Sequence, residues 1–295
     1  MERPLRDALE AGLARRGEPG HVVRALPVGG GSIHRAQIVE LGDGRRLFVK
    51  SNAEAPTGMF EAEAAGLSAL AAPGLLRVPR DPWVGEAGGI RFLAMEAIEE
   101  GRADGGFFRR FGTALAELHR AARGDRFGFA TDNWIGATPQ PNAWHTDWVE
   151  FVRRLRLGFQ LDLARRRGLS DGALDRLGDR LLDRLGDWID LPDEPPCLVH
   201  GDLWSGNFLV GAGGEPVLVD PAVYYAHREA ELAMTRLFGG FDAAFYAAYE
   251  EAWPLPPGSA ERQTIYSLYH LLNHLNLFGA GYRGQCVSVL RRLVG

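Results

Sequence analysis

Apolar and polar positions alternate with a period of two through much of residues 22–99. "HVVRALPVGGGSIHRAQIVEL" and "RRLFVKS" read as half-buried strands, and the "GDG" between "EL" and "RRL" reads as a hairpin turn. The period then changes. "TGMFEAEAAGLSALAA" has helical spacing and is stopped by Pro73 and Gly74. "WVGEAGGIRFLAMEAI" returns to strand spacing, with Gly88 and Gly89 as a second hairpin turn. Ahead of these strands, "MERPLRDALEAGLARRG" is an amphipathic helix, charged throughout and lacking the apolar stretch of a signal peptide. The expectation is a small lobe of antiparallel strands carrying an inserted helix.

The polar, glycine-rich "EEGRADGG" reads as a hinge. Beyond it helical spacing dominates: "FFRRFGTALAELHRAA", "HTDWVEFVRRLRLGFQLDLARRR", "HREAELAMTRLFGGFDAAFYAAYEEAW" and "RQTIYSLYHLLNHLNLFGAGY". One stretch interrupts the helices. "PPCLVHGDLWSGNFLVGAGGEPVLVDPAVYY" reads as a short apolar strand, a polar loop and a hairpin through "GAGGE". The pattern predicts an α+β, two-lobed molecule: a strand-rich lobe over residues 1–98 and a helical lobe over residues 99–295.

Composition narrows the function classes. The 295 residues are 46% hydrophobic and 24% charged, ordinary values for a globular chain. A net charge of −5 argues against a general nucleic-acid-binding surface. No apolar run has the length of a membrane span. Cys197 and Cys286 form neither a disulfide framework nor a zinc site, and a reducing cytoplasm is the expected setting. Arg-rich segments such as "LARRRGLSDGALDRLGDRLLDRLGDW" alternate charge sign and read as solvated helix faces.

Charge chemistry singles out one residue. Of the 33 Lys and Arg residues, Lys50 alone is lysine. An ammonium is a compact point charge, suited to a slot beside a phosphate where a planar guanidinium is too wide. Lys50 ends the strand "LFVK", about 20 residues after "VGGGS". Elsewhere, Asp202 and Asn207 stand five residues apart in "HGDLWSGN", and Asp220 ends "PVLVD". Phosphoryl transfer from ATP uses such a set: a carboxylate to accept the hydroxyl proton, oxygen ligands for Mg²⁺, a cation and a glycine-rich loop. Asp202 is then the base, Asn207 and Asp220 the metal ligands, and Lys50 the cation. Gly29, Gly30, Gly31 and Ser32 belong to the loop. Helical spacing lets either Glu61 or Glu63 hold Lys50.

These residues resemble the protein-kinase-like fold. More narrowly, "LVHGDLWSGN", "DPAVYYAHREAELAMTRLFGGF", "MFEAEAAGL" and "DNWIGATPQPN" are similar to the fructosamine kinase, or ketosamine-3-kinase, family over nearly the whole chain. The resemblance implies transfer of the ATP γ-phosphate to the 3-hydroxyl of a ketosamine, the Amadori adduct of a sugar with an amine or a protein lysine. The phosphorylated adduct is unstable, so the amine is regenerated. It also implies Glu63 as the partner of Lys50, and Met95, Glu96, Ala97 and Ile98 facing adenine. Ser32 stands where many members of the family carry a loop cysteine, which argues against a redox switch there.

The acceptor side is less defined by sequence. Trp204 offers a flat face inside the polar loop, and His227, Glu231, Asn273 and His274 are candidates to line the pocket. His200 reads as a loop support. His270 and His274, four apart on a helix, have no third metal ligand and read as core or pocket residues. The tryptophans 134, 144 and 148 read mainly as packing. Aminoglycoside and choline kinases share the Asp–Asn–Asp layout, and an inactive kinase-fold binding module is a third reading. A polycationic aminoglycoside needs an acidic pocket; a binding module would lack catalytic groups that are present here. A monomer acting on a ketosamine, without nucleic-acid or membrane partners, is the expectation.

Overall fold

The computed structural model describes residues 1–29, 34–191 and 193–295. In chain order the first elements are α1 (Arg3–Arg15), β1 (Val22–Val28), β2 (Arg35–Leu41), β3 (Arg46–Asn52), α2 (Met59–Ala71), β4 (Trp83–Ala87) and β5 (Ile90–Glu96). There follow α3 (Phe107–Ala121), β6 (Asn133–Ile135), β7 (Thr138–Gln140), α4 (Trp148–Val152), α5 (Gly158–Arg166), α6 (Gly172–Asp183) and α7 (Gly186–Ile189). The rest comprises β8 (Cys197–Val199), β9 (Phe208–Val210), β10 (Pro216–Leu218), β11 (Tyr224–Ala226), α8 (Glu229–Leu237), α9 (Ala243–Ala252), α10 (Ser259–Phe278) and α11 (Arg283–Val294). Among the described residues, no helix is long and apolar enough to cross a membrane.

The chain forms two compact units. The first is Met1–Asp104 with Leu209–Val219; the second is Gly105–Phe208 with Asp220–Gly295. The hairpin segment 209–219 thus joins the first unit, an excursion that a single boundary at residue 98 does not contain.

In the first unit, five antiparallel strands lie in the order β1-β2-β3-β5-β4. Alternation gives the sheet one apolar face, and α1 covers it with Leu5, Leu9 and Leu13 against Val39, Val49 and Phe92. The approach is close: a Cβ on Gly12 of α1 would lie 2.4 Å from the Trp83 ring. Gly88 and Gly89 make the β4–β5 turn with φ of 56° and 80°, a conformation glycine adopts without steric cost.

In the second unit, the 20-residue α10 runs through a core that includes Trp148, Phe151, Tyr224, Ile265 and Leu272. A separate aromatic cluster joins α3 to α9, with Phe111 and Phe245 centroids 5.3 Å apart. Three details depart from the periodicity. The long helix expected over "HTDWVEFVRRLRLGFQLDLARRR" is interrupted by a π-helical stretch, Arg153–Leu157. "HREAELAMTRLFGGFDAAFYAAYEEAW" breaks into α8 and α9, because Gly239 and Gly240 adopt φ of 72° and 92°. "DNWIGATPQPN" contains the β6–β7 hairpin.

Candidate active site

Strand pairing builds the second unit's polar centre. β8 and β11 run antiparallel with Val199 opposite Tyr224, so the residues following β8 meet those preceding β11. Ala222 N–H donates to His200 O at 2.8 Å. Gly201, at φ 83°, permits this crossing: a Cβ there would stand 2.1 Å from Ala222 O. The two chain segments carrying Asp202 and Asp220 are thereby brought side by side.

The loop after β8 is pinned from within. Asn207 Nδ2 donates to Asp202 O at 2.8 Å and to Asp202 Oδ2 at 3.2 Å. That orientation commits the amide nitrogen to Asp202 and directs the chemistry of Asn207 to its Oδ1 acceptor. Burial, then the Asp220 and Glu231 carboxylates, push the Asp202 carboxyl well above the usual carboxylate range, while the Asn207 amide acts against them. Asp220 has φ 57°, a left-handed conformation that costs a non-glycine residue on the order of 1–3 kcal/mol. Two nearby carboxylates and an amide oxygen make a hard-oxygen donor set that fits Mg²⁺. Among the described residues no cluster of three His, Cys, Asp or Glu side chains forms a closed metal cage, so further ligands would come from phosphate or water.

Glu231 and the β6–β7 hairpin hold this arrangement from behind. Glu231 is 1% exposed and accepts hydrogen bonds from the backbone N–H of His200 and of Gly201. His119 Nε2 lies 3.9 Å from Glu231, and its Nδ1 meets Tyr249 OH at 2.7 Å. Burial, partly offset by Glu231, lowers the His119 pKa. On the Asp220 side, Asn133 donates to Val223 O at 2.8 Å and Gln140 to Ala222 O at 2.9 Å. Tyr269 OH donates to Gln140 Oε1 at 2.6 Å. The "DNWIGATPQPN" segment therefore acts through its amides rather than its tryptophan. Sequence spacing carries no sign of that; an Asn and a Gln at the outer ends of two three-residue strands are the trace it leaves.

The remaining acceptor-side residues separate. His227 does not reach an open face: it is 1% exposed, packed 4.8 Å from Trp148 and 5.2 Å from Phe127, with its pKa lowered to about 3 by burial and then by Arg262 and Arg228. Glu231 is likewise 1% exposed and lies against the backbone N–H groups of His200 and Gly201. Both lie further inward than the sequence expectation placed them, His227 among the rings of Phe127 and Trp148 and Glu231 on the loop's backbone. Trp204 is 39% exposed, its ring lying over Gly206. His274 is half-buried, with Nδ1 2.8 Å from His270 O and its ring 4.7 Å from the exposed Phe238. Asn273 is buried and donates to Ile135 O at 3.4 Å. His270 is buried, with its pKa lowered to about 3 by burial first.

In the first unit, Lys50 sits on β3 between Ala36 of β2 and Leu93 of β5. Its Nζ is 2.6 Å from Glu63 Oε1 on α2, while Glu61 faces solvent. Met95 is buried. The Glu96 side chain is bound by Arg77 and Arg80, each at 2.9 Å, so that carboxylate is committed. Arg77 also pairs with Glu215 of the hairpin segment. Ala97 N–H donates to Arg46 O at 3.2 Å, and Ile98 follows it. Gly29 closes the described part of β1's exit; Gly30, Gly31 and Ser32 lie outside the described residues.

A buried strand lysine paired to a helix glutamate in the first unit, and Asp202, Asn207 and Asp220 in the second, accompany a kinase-like fold that aminoglycoside phosphotransferases share. Comparison with known proteins gives the family. The sequence profile described as "Fructosamine kinase" matches residues 10–295. A probable ketoamine kinase of Synechocystis is 45% identical over 284 residues, covering 94% of this chain and 92% of the relative. The chloroplastic protein-ribulosamine 3-kinase of Oryza sativa is 42% identical, covering 96% and 82%. The crystal structure of "Putative fructosamine-3-kinase" from Haemophilus somnus superposes with a TM-score of 0.89 at 28% identity, covering 98% and 97%. The chain belongs to the fructosamine kinase family.

Proposed function

We propose that this enzyme transfers the γ-phosphoryl group of ATP to the 3-hydroxyl of ketosamines, the adducts of ketose sugars with amines or protein lysines. The observation that carries the reading is Asp202. Asn207 Nδ2 holds both its backbone oxygen and its Oδ2, which orients the carboxylate to meet a hydroxyl proton. The relatives' names supply the acceptor class: ketoamine and protein-ribulosamine kinases.

In this reading Asp202 orients the 3-hydroxyl and accepts its proton. The sugar oxygen forms a bond to the γ-phosphorus as the bond to the β-bridging oxygen breaks, and ADP leaves. Asn207 Oδ1 and Asp220 would hold Mg²⁺, which when bound would neutralise phosphate charge. Lys50, held by Glu63, would contact phosphate oxygens, and Gly29, Gly30, Gly31 and Ser32 are assigned to the phosphate loop from their sequence. The backbone of Met95, Glu96, Ala97 and Ile98 faces adenine. Trp204 and His274 offer surfaces to the sugar and its amine. Glu231 keeps His200 and Gly201 fixed so that Asp202 does not have to be positioned at each turnover. The free, buried Cys197 and Cys286 suit a reducing compartment, and we place the enzyme in the cytoplasm as a monomer.

The test is ADP release with Mg²⁺ and ATP on ribulose-, erythrulose- and fructose-lysine, with choline and an aminoglycoside as rival acceptors. Ketosamine-dependent release should fall by about 10²–10⁴ in Asp202→Asn, with ATP binding retained. Turnover of the rivals alone would refute the acceptor assignment.

A further inference from the structure

On the helical unit, α8, α9, α10 and α11 enclose an open groove of about 580 Å³, within the range of small-molecule sites. None of the residues proposed for phosphoryl transfer lines it. Its floor is apolar, including Leu237, Leu271 and Val289. Two guanidinium groups reach it from different helices and are tethered to consecutive residues of α10. Arg236 Nε donates to Gln263 Oε1 at 2.9 Å, and Arg292 Nη2 donates to Thr264 Oγ1 at 3.1 Å. Arg236 is further fixed by stacking 3.6 Å from the Tyr246 ring centroid.

The tethers are neutral. Among the described residues, neither Arg236 nor Arg292 has a carboxylate oxygen within 4 Å. Elsewhere on this chain arginines are commonly neutralised: Arg165 by Asp162, Asp175 and Asp179, and Arg262 by Glu229. Here two guanidinium groups with neutral tethers line one groove beside apolar side chains, which gives the groove a local positive field for an anion. Arg236 spends only Nε on its tether, which leaves its Nη donors for a ligand. A pair of forks with spare donors matches the several acceptor oxygens of a phosphoryl group. Glu250 also lines the groove and sets a limit on charge: one phosphoryl group is favoured over a polyphosphate.

We propose that this groove is a second binding site, for a small organic phosphomonoester whose phosphoryl group lies between Arg236 and Arg292 and whose body rests on the Leu237, Leu271 and Val289 floor. The test is isothermal titration with phenyl phosphate, inorganic phosphate and benzoate, on the full chain saturated with a non-hydrolysable ATP analogue so that the nucleotide residues are occupied. The expected result is saturable 1:1 binding of phenyl phosphate, with inorganic phosphate and benzoate each at least threefold weaker. Arg236→Gln combined with Arg292→Gln should weaken phenyl phosphate at least tenfold and leave basal ADP release unchanged. Absence of saturable binding, or equal binding by the double variant, would overturn the site. Benzoate binding as tightly as phenyl phosphate would overturn the phosphoryl assignment.

Discussion

Lys50 shows how much one residue type can carry. The chain uses arginine at every other cationic position, and at this one it keeps an ammonium, 6% exposed and 2.6 Å from Glu63. Ala36 and Leu93 are its cross-strand partners, and a planar guanidinium fork is wider than the ammonium buried there. Lys50→Arg should therefore keep the charge and lose the geometry. We expect kcat/KM for ATP to fall by about 10²-fold, roughly 2.7 kcal/mol of transition-state stabilisation, with little change in Tm. Steady-state kinetics at varied ATP check this; an unchanged KM and kcat would mean that charge alone suffices. The contacts of Lys50 with Glu63 and of Asn207 with Asp202 agree with expectations drawn from residue type and spacing; the chemical roles of these residues and of Asp220 are the proposal. The placement of Glu231 and His227 was not legible in the sequence. Both lie near the acceptor motif in sequence, but a residue's neighbours in sequence do not reveal that it faces inward, and burial makes one a backbone anchor and the other a core ring.

At the scale of elements, the strands and hairpins of the first unit follow from alternation and glycine turns, and that part of the fold is readable directly. The helical unit is less so. Helical spacing continues smoothly through "TRLFGGFDAAF", yet two glycines at positive φ end α8 and begin a new direction for α9. The contact between α3 and α9 is likewise invisible in the pattern and rests on Gly112. A Cβ there would stand 2.1 Å from Phe245 O, a backbone atom that cannot swing aside. Gly112→Ala should destabilise the protein by about 1–3 kcal/mol through overpacking, even though alanine favours helix. Urea unfolding should show a lower midpoint at unchanged slope. A midpoint equal to or above that of the parent would show that the helices have room to part.

Acid stability belongs to the whole molecule. Burial holds His227 and His270 at about 3, whereas an unfolded histidine titrates near 6.5. Below about pH 6.5 the unfolded chain takes up protons that the folded chain refuses, so the stability these neutral rings contribute is present above 6.5 and lost as pH falls toward 3. The raised Asp202 and Glu229 carboxyls act in the opposite sense, because the fold favours their protonated forms. A difference measurement isolates the histidine contribution. His270→Asn should flatten the decline of unfolding free energy between pH 6 and 4 by about 1.4 kcal/mol per pH unit. Parallel curves for variant and parent would contradict a neutral, buried His270.

The claim that organises all three scales is that Asp202 directs a phosphoryl group to one hydroxyl of a ketosamine. Phosphorus-31 and carbon-13 NMR of the product formed from ribulose-lysine, Mg²⁺ and ATP tests it most directly. A single new phosphomonoester coupled to carbon 3 of the sugar, followed by release of free lysine, is the predicted result. A phosphomonoester on any other hydroxyl, or consumption of ATP with the ketosamine intact, would contradict the account.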